Sequence, residues 1–294
     1  MKIAAIDIGS NAARLLINEV TEDKAGNPEF IKLNLLRIPL RLGMDVFSHG
    51  KIREERQEMV ISSMRVFADL MKIYNVEHYR ACATSAMRDA ENGDEIREIV
   101  EETSGINIEI ISGDEEASLI YANNSEAALD KNFGYLYVDV GGGSTELMYF
   151  ENGKMKYKRS FNIGTIRILS DLVKDEHWKE MKEEIKSKIV GKKQILGIGS
   201  GGNINKVFSM SKQKEGNPLS LTTIKNFHKT MSALTVEERM HKYGFREDRA
   251  DVIVPALEIY IKVMGWSGMK KMYVPKISIA DGLIHSIYEN LKKK

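Results

Sequence analysis

The feature that most constrains the fold of this chain is a short block that occurs twice. Ile3-Ala4-Ala5-Ile6 runs into Asp7 and the turn Gly9-Ser10-Asn11, and Tyr135-Leu136-Tyr137-Val138 runs into Asp139 and the turn Gly141-Gly142-Gly143-Ser144-Thr145. An apolar stretch follows each turn, Leu15-Leu16-Ile17 in the first case and Glu146-Leu147-Met148-Tyr149-Phe150 in the second. The reading is strand, turn, strand, because the residues after the first turn lack a cap and a polar face of helical spacing. That lowers the case for a dinucleotide or phosphate-loop fold, where the glycine turn opens a helix. The two aspartates lie 132 positions apart (139 minus 7), close to half of the 294 residues. With ~150 residues an ordinary domain size, this spacing predicts two similar domains, each with one phosphate-sized turn.

Between and after the blocks the pattern alternates. Val60, Met64, Phe67, Met71 and Tyr74 recur at helical spacing within Lys51 to Tyr74. Arg80 to Thr84 reads as a strand, Asp94 to Thr103 as a helix ended near Gly105, and Ile106 to Ile111 as another strand. Asn152-Gly153 is a two-residue hairpin signal. Lys174 to Ile189 is expected as a solvated helix, and Gln194 to Ile198 as a strand. Gly199-Ser200-Gly201-Gly202 forms a third glycine turn, leading into a helix at Ile204 to Ser209. Lys212 to Ser220 reads as a loop; Glu237 to Tyr243, Ala250 to Met264 and Ser278 to Leu291 read as helices, before the solvated tail Lys292-Lys293-Lys294. Alternating elements of this kind imply an α/β fold with a largely parallel sheet.

Composition removes several function classes. Lysine plus arginine number 43 against 42 aspartate plus glutamate, a net charge of +1, which excludes a duplex-coating basic protein. The lone Cys82 excludes a disulfide framework and makes a reducing cytoplasm the expected compartment. Asp7 interrupts the N-terminal apolar stretch too early for a signal-peptide core, and no run of about 18 uncharged apolar residues suggests a membrane span. The six histidines are scattered singly, so they give no zinc signature.

The residues that could carry chemistry gather at the turns. Successive backbone N–H groups in a glycine turn form a concavity that binds anionic oxygens without a cationic side chain; the competing reading is an ordinary flexible loop. Asp7 and Asp139 each close an apolar strand, where a carboxylate needs a cation or donors. Two carboxylates beside phosphate-sized turns suggest Mg²⁺, which binds through carboxylates plus substrate phosphate; a strand-end cap is the alternative. Ser112 and Glu115 fit a capping box that starts a helix, which leaves Glu116 free as a base or as a first-turn acid complementing the helix dipole. Arg88, and more weakly Arg14 and Arg41, could reach a phosphoryl group with a planar fork or simply lie on the surface.

Asp7-Ile8-Gly9-Ser10-Asn11 with Arg14, Ala83-Thr84-Ser85-Ala86-Met87-Arg88, Ile111-Ser112-Gly113-Asp114-Glu115-Glu116-Ala117 and Asp139 through Glu146 together resemble the exopolyphosphatase/guanosine pentaphosphate phosphohydrolase (Ppx/GppA) family of the actin-like superfamily. The resemblance is specific over residues 1 to 150 and looser beyond, where Arg249-Ala250-Asp251 with Pro255 and Asp281-Gly282-Leu283 echo it. Ala12 replaces a usual hydroxyl residue, and Met44-Asp45 stands where the family tends to have Glu-Gly. The resemblance implies two ribonuclease-H-like α/β domains with the active site in a cleft between them. The expected domains are residues 1–124 and 125–278, with the C-terminal helix at about 279–294 packing back on the first.

It further implies Mg²⁺-dependent hydrolysis of a terminal phosphoanhydride. Glu116 would serve as the base and Arg88 as stabiliser of transferred charge. Asp139 and Glu146, with Asp7 in support, would hold the metal. Gly9, Ser10, Asn11, Arg14, Gly141, Gly142, Gly143, Ser144 and Thr145 would bind phosphate. The expected partners are inorganic polyphosphate or guanosine pentaphosphate and a second copy of the chain, with no nucleic acid and no membrane. A superfamily kinase or ATPase, with the Gly199–Gly202 turn cradling adenosine, is one rival reading. A non-catalytic sensor of guanosine tetra- or pentaphosphate is another.

Overall fold

The computed structural model describes residues 1–122, 130–191, 193–275 and 278–292, the side chains of 120–122 excepted. The chain divides into two compact units, Met1–Asn124 with Ser278–Lys294, and Ser125–Ile277. The expected boundary at 124/125 and the last two lysines of the tail lie outside the described residues.

In the first unit, β1 (Lys2–Ile8), β2 (Ala13–Glu22) and β3 (Pro28–Ile38) form an antiparallel meander. The helices α1 (Leu42–His49) and α2 (Glu54–Ile73) lead to β4 (His78–Ala83), α3 (Ser85–Asp89), α4 (Gly93–Ser104), β5 (Ile108–Ile110) and α5 (Gly113–Ala122). The sheet order is β3-β2-β1-β4-β5, with β4 parallel to β1 and β5 parallel to β4. The apolar residues of β1, Ile3 through Ile6 and Ile8, are buried almost completely, and the C-terminal helix Ile279–Lys292 packs against β1, β4 and α5. Val60, Met64, Phe67 and Met71 form the buried stripe of α2. Tyr74 ends that helix instead of extending the stripe, and its hydroxyl accepts from the Asn34 side chain.

The second unit opens with β6 (Gly134–Val140), β7 (Thr145–Glu151) and β8 (Lys154–Phe161), again a meander. It continues with α6 (Thr165–Leu169), α7 (Asp175–Glu184), β9 (Ile195–Ser200), α8 (Gly202–Met210), β10 (Leu219–Ser220), α9 (Leu221–Ser232), α10 (Val236–Tyr243), α11 (Glu247–Ala250), α12 (Ile253–Ser267) and β11 (Lys271–Tyr273). Its sheet order is β10-β11-β9-β6-β7-β8. Read from β8, the first five strands run 8-7-6-9-11, which repeats the 3-2-1-4-5 order of the first unit. Asn152 and Gly153, at φ of 55° and 72°, make the expected β7–β8 hairpin.

The sheets differ from the expected largely parallel arrangement. In each, the first three strands are joined by short turns, and strands joined that way must run antiparallel; only strands reached through helices run parallel. Several elements are also shorter or broken. The strand expected at Ile106 to Ile111 reduces to β5, α7 passes into a π-helical turn at Ile185–Ile189, and the Ala250 to Met264 helix is split between α11 and α12. Gly199 and Ser200 belong to β9, so the third turn contracts to Gly201-Gly202, and Leu219-Ser220 at the end of the expected loop pairs with β11. No described helix is long and apolar enough to cross a membrane.

Asp45, one of the departures from the family pattern, has a structural job. It is fully buried, with Arg53 Nη2 at 2.8 Å and Arg56 Nη1 at 2.7 Å, and it accepts the Arg53 backbone N–H. It thereby ties α1 to the start of α2. Replacing it by Asn leaves two arginines without their counter-charge, but both retain solvent contact. The loss should therefore be about 2–3 kcal/mol, at or below the lower end for a broken buried pair. Denaturant unfolding of Asp45→Asn measures this directly; wild-type stability would show that the triad contributes nothing.

Candidate functional site

The two aspartates sit at matching places in matching hairpins and meet opposite partners. In the first unit the register pairs Asp7 with Arg14, and Arg14 Nη1 donates to Asp7 Oδ2 at 3.2 Å. In the second unit it pairs Asp139 with Glu146, with one carboxylate oxygen of each within 4.8 Å of the other. Glu146 is fully buried and Asp139 is 8% exposed. Two such charges repel by about 3–4 kcal/mol at an effective dielectric near 20. The first hairpin carries its own counter-charge, whereas the second concentrates negative charge. Hard oxygen donors in that arrangement fit a small divalent cation such as Mg²⁺.

The turns beside these carboxylates are shaped by the helices that follow. The Gly141 carbonyl accepts from Thr165 N, the Gly142 carbonyl from Ile166 N at 2.8 Å, and the Gly143 carbonyl from Arg167 Nε at 2.8 Å. In a planar trans peptide the N–H points opposite to the preceding carbonyl. Drawing three carbonyls toward α6 therefore turns the N–H groups of Gly142, Gly143 and Ser144 the other way, as one array. Gly164 makes the approach possible: a Cβ there would lie 2.3 Å from the Gly142 carbonyl oxygen. In the first unit the Ser10 carbonyl accepts from Gly43 N and the Asn11 carbonyl from Arg41 N, which directs the N–H groups of Asn11 and Ala12 away from α1.

Several expected phosphate ligands are committed elsewhere. The N–H groups of Gly9 and Gly141 each close their own turn, onto the carbonyls of Ala12 and Ser144. Thr145 is fully buried and donates its hydroxyl to the Ile163 carbonyl at 2.6 Å, a structural bond across the hairpin. The Ser10 hydroxyl meets that of Ser85 at 2.8 Å and joins the first turn to α3. Arg88 donates from Nη1 to the Ile111 carbonyl at 2.7 Å, so part of its fork holds the approach to α5.

Glu116 is buried in the first turn of α5, its N–H on the Ser112 carbonyl. Half of the expected capping box forms, with Ser112 Oγ accepting from Glu115 N at 3.1 Å; the Glu115 carboxylate pairs with Arg80 at 2.7 Å, drawn away by a cation that already bridges to Glu109. Burial pushes the Cys82 thiol up to about 12, which disqualifies it as a nucleophile near neutral pH.

Two residues of this site were not foreseen. Ser160 donates to Glu146 Oε1 at 2.8 Å, from the register position opposite it on β8. Tyr260, fully buried on α12, donates to the Ser200 carbonyl next to Asp139. Neither carries a local signal, because their partners lie 14 and 60 positions away in the chain.

The match to known proteins spans most of the chain. Residues 20–291 match the model of the Ppx/GppA phosphatase family. The chain belongs to that family. It is 29% identical to a bifunctional 3-dehydroquinate synthase/phosphatase of Fusobacterium nucleatum over 99% of this chain and 47% of that protein. It is 24% identical to a guanosine-5'-triphosphate,3'-diphosphate pyrophosphatase of Aeromonas hydrophila over 98% of this chain and 59% of that protein. The chain thus spans about half to three-fifths of the length of these curated relatives. The crystal structure of the Aquifex aeolicus Ppx/GppA family member superposes with a TM-score of 0.75 at 26% identity, covering 100% of this chain and 99% of the other. An exopolyphosphatase structure from Cytophaga hutchinsonii shares the fold, with a TM-score of 0.82 at 23% identity over 99% and 98% of the two chains. Both units accordingly have the actin-like, ribonuclease-H-like α/β fold of this Ppx/GppA family.

The Asp7 carboxyl is held above its ordinary value, chiefly by burial and also by the charge of Asp281, against the opposing effect of Arg14. A carboxyl that binds its proton more tightly when folded contributes stability below its unfolded value, near 3.8, and that contribution is lost as pH rises through the folded value. Asp7→Asn, which cannot ionise, should therefore lose less thermal stability than the wild type between pH 3.5 and neutrality. Melting curves across that range check it; parallel profiles would contradict the burial assignment.

Proposed function

We propose that this Ppx/GppA protein hydrolyses the terminal phosphoanhydride of inorganic polyphosphate or guanosine pentaphosphate, releasing orthophosphate. The observation that carries the reading is the second hairpin, where Asp139 faces Glu146 at the foot of a turn whose amides point away from α6. Mg²⁺ held by Asp139 and Glu146 would offset the charge of the phosphate oxygens. The N–H groups of Gly142, Gly143 and Ser144 would donate to phosphoryl oxygens as a fixed anion nest. Asn11 and Ala12 N–H groups, with Arg14, would do the same in the first unit, while Asp7 gives support through the counter-charge it shares with Arg14. Arg88 would act through the part of its fork not bound to Ile111.

Glu116 would orient a water and take its proton as the water oxygen bonds to the terminal phosphorus and the bridging P–O bond breaks. Positioning and electrostatics supply nearly all the catalysis in phosphoryl transfer, so the reading needs no covalent nucleophile. The substrate class follows the Aeromonas relative's name and the family resemblance of the four motifs. The reading treats residues 1–124 with the C-terminal helix, and 125–278, as two domains. It places the enzyme in the cytoplasm as a homodimer.

Glu116→Gln should lose turnover by about 10²-fold or more while still binding substrate, the usual size of a general-base contribution. Phosphate release from short polyphosphate, long polyphosphate, guanosine pentaphosphate and ATP, each with Mg²⁺ and with chelator, tests the whole reading. Release from the first three with Mg²⁺ and none with chelator is expected. Release from ATP alone, stimulated by an acceptor alcohol or acid, would move the chain to the kinase class.

A further inference from the structure

Tyr260 is a fully buried phenol whose hydroxyl lies where β6 and β9, the strands of the second unit that lead into glycine turns, come to an end. Its hydroxyl donates to the carbonyl of Ser200, the last residue of β9, and lies beside the end of β6, where a Cβ on Gly201 would meet both the Tyr260 hydroxyl and the Val140 carbonyl. These two strands pair in parallel only as far as Asp139 with Ser200. The phenol therefore ties α12 to the last rung of the ladder, opposite Asp139, at the point where Gly141 and Gly201 begin.

Packing around the junction is close. Gly201 adopts φ of 109°, and a Cβ on it would lie 3.0 Å from the Val140 carbonyl oxygen, 3.2 Å from Asp139 Oδ1 and 3.5 Å from the Tyr260 hydroxyl. Any side chain at this position would thus meet the phenol, the carboxylate and the end of β6 together. From behind, α12 packs on α6, β6 and α8, and α6 is the helix that turns the amides of Gly142 to Ser144. The ring is the largest group at this crossing and belongs to the core of the unit. The hydroxyl adds nothing to apolar burial, and its hydrogen bond goes to the end of β9 beside Asp139.

We propose that the Tyr260 hydroxyl is a positioning group, which locks the Asp139 end of β6 to the start of α8 so that the carboxylate and the amide turn keep one geometry. The catalytic side of this inference rests on the hydrolase reading above. The clamp itself does not.

Tyr260→Phe keeps the ring and deletes the clamp. Amide exchange in Asp139–Thr145 and Ser200–Asn203 should then rise about tenfold or more, the size expected when a buried carbonyl loses its donor, while Leu147–Phe150 keeps wild-type protection. Turnover should fall about tenfold with KM within about twofold, since misplacement of preorganised groups acts on the transition state. Gly201→Ala intrudes on the same junction from the other side and should raise exchange in the same two segments, so the clamp stays testable if Tyr260→Phe folds poorly. Unchanged exchange at either strand end, or a uniform rise through the unit, would overturn the clamp. Locally raised exchange with wild-type turnover would overturn its positioning role. A wild-type protein that releases no phosphate would sink the hydrolase reading and leave the exchange result to decide the clamp.

Discussion

Everything at the candidate site depends on a carboxylate facing a carboxylate across a buried hairpin. The same hairpin occurs twice, and the residue opposite the strand-end aspartate decides what each copy does. Arg14 neutralises Asp7 within the chain, whereas Glu146 adds to the charge of Asp139. A buried pair of like charges is tolerated only with a cation or a shared proton. That single difference makes the second unit the metal-binding candidate and gives the first hairpin a counter-charge of its own.

The phosphate-sized turns acquire their direction from the elements that cap them. Strand ends alone would leave a glycine loop free to choose among conformations. Here α6 takes the carbonyls of one turn, while Arg41 and Gly43, at the start of α1, take those of the other. The direction of the N–H groups is therefore a by-product of hydrogen bonds on the opposite face. Ser160 and Tyr260 extend the same logic to the carboxylates, the first by a bond to Glu146 and the second by a bond to the end of β9, opposite Asp139. Preorganised dipoles of this kind are what phosphoryl transfer requires from a protein.

The parts of this structure that could be seen in the sequence were those written locally. The Asp-x-Gly blocks, the Asn152-Gly153 turn and the apolar stripe of α2 each depend on neighbours a few positions away, and each was legible. The edge strand β3 was not, because an edge strand wetted on both faces lacks a clean period of two; Ile31 and Leu35 stay exposed while Phe30 and Leu33 are only partly covered. Helix α9 was missed as well, for its start is signalled only by the Ser220 cap. Within the site, residue types were legible but their commitments were not. Nothing in the spacing reveals that Thr145 spends its proton on Ile163, or that Glu115 leaves its capping box for Arg80.

The central claim is that Glu146 makes the second hairpin dependent on an added cation. Thermal unfolding with and without Mg²⁺, for the wild type and Glu146→Gln, tests it most directly, since a ligand that binds only the folded state raises the melting temperature with its concentration. The account predicts a Mg²⁺-dependent rise in the wild type, and in Glu146→Gln a higher metal-free melting temperature with little or no response to Mg²⁺. An equal Mg²⁺ response in both proteins, or none in the wild type, would contradict it.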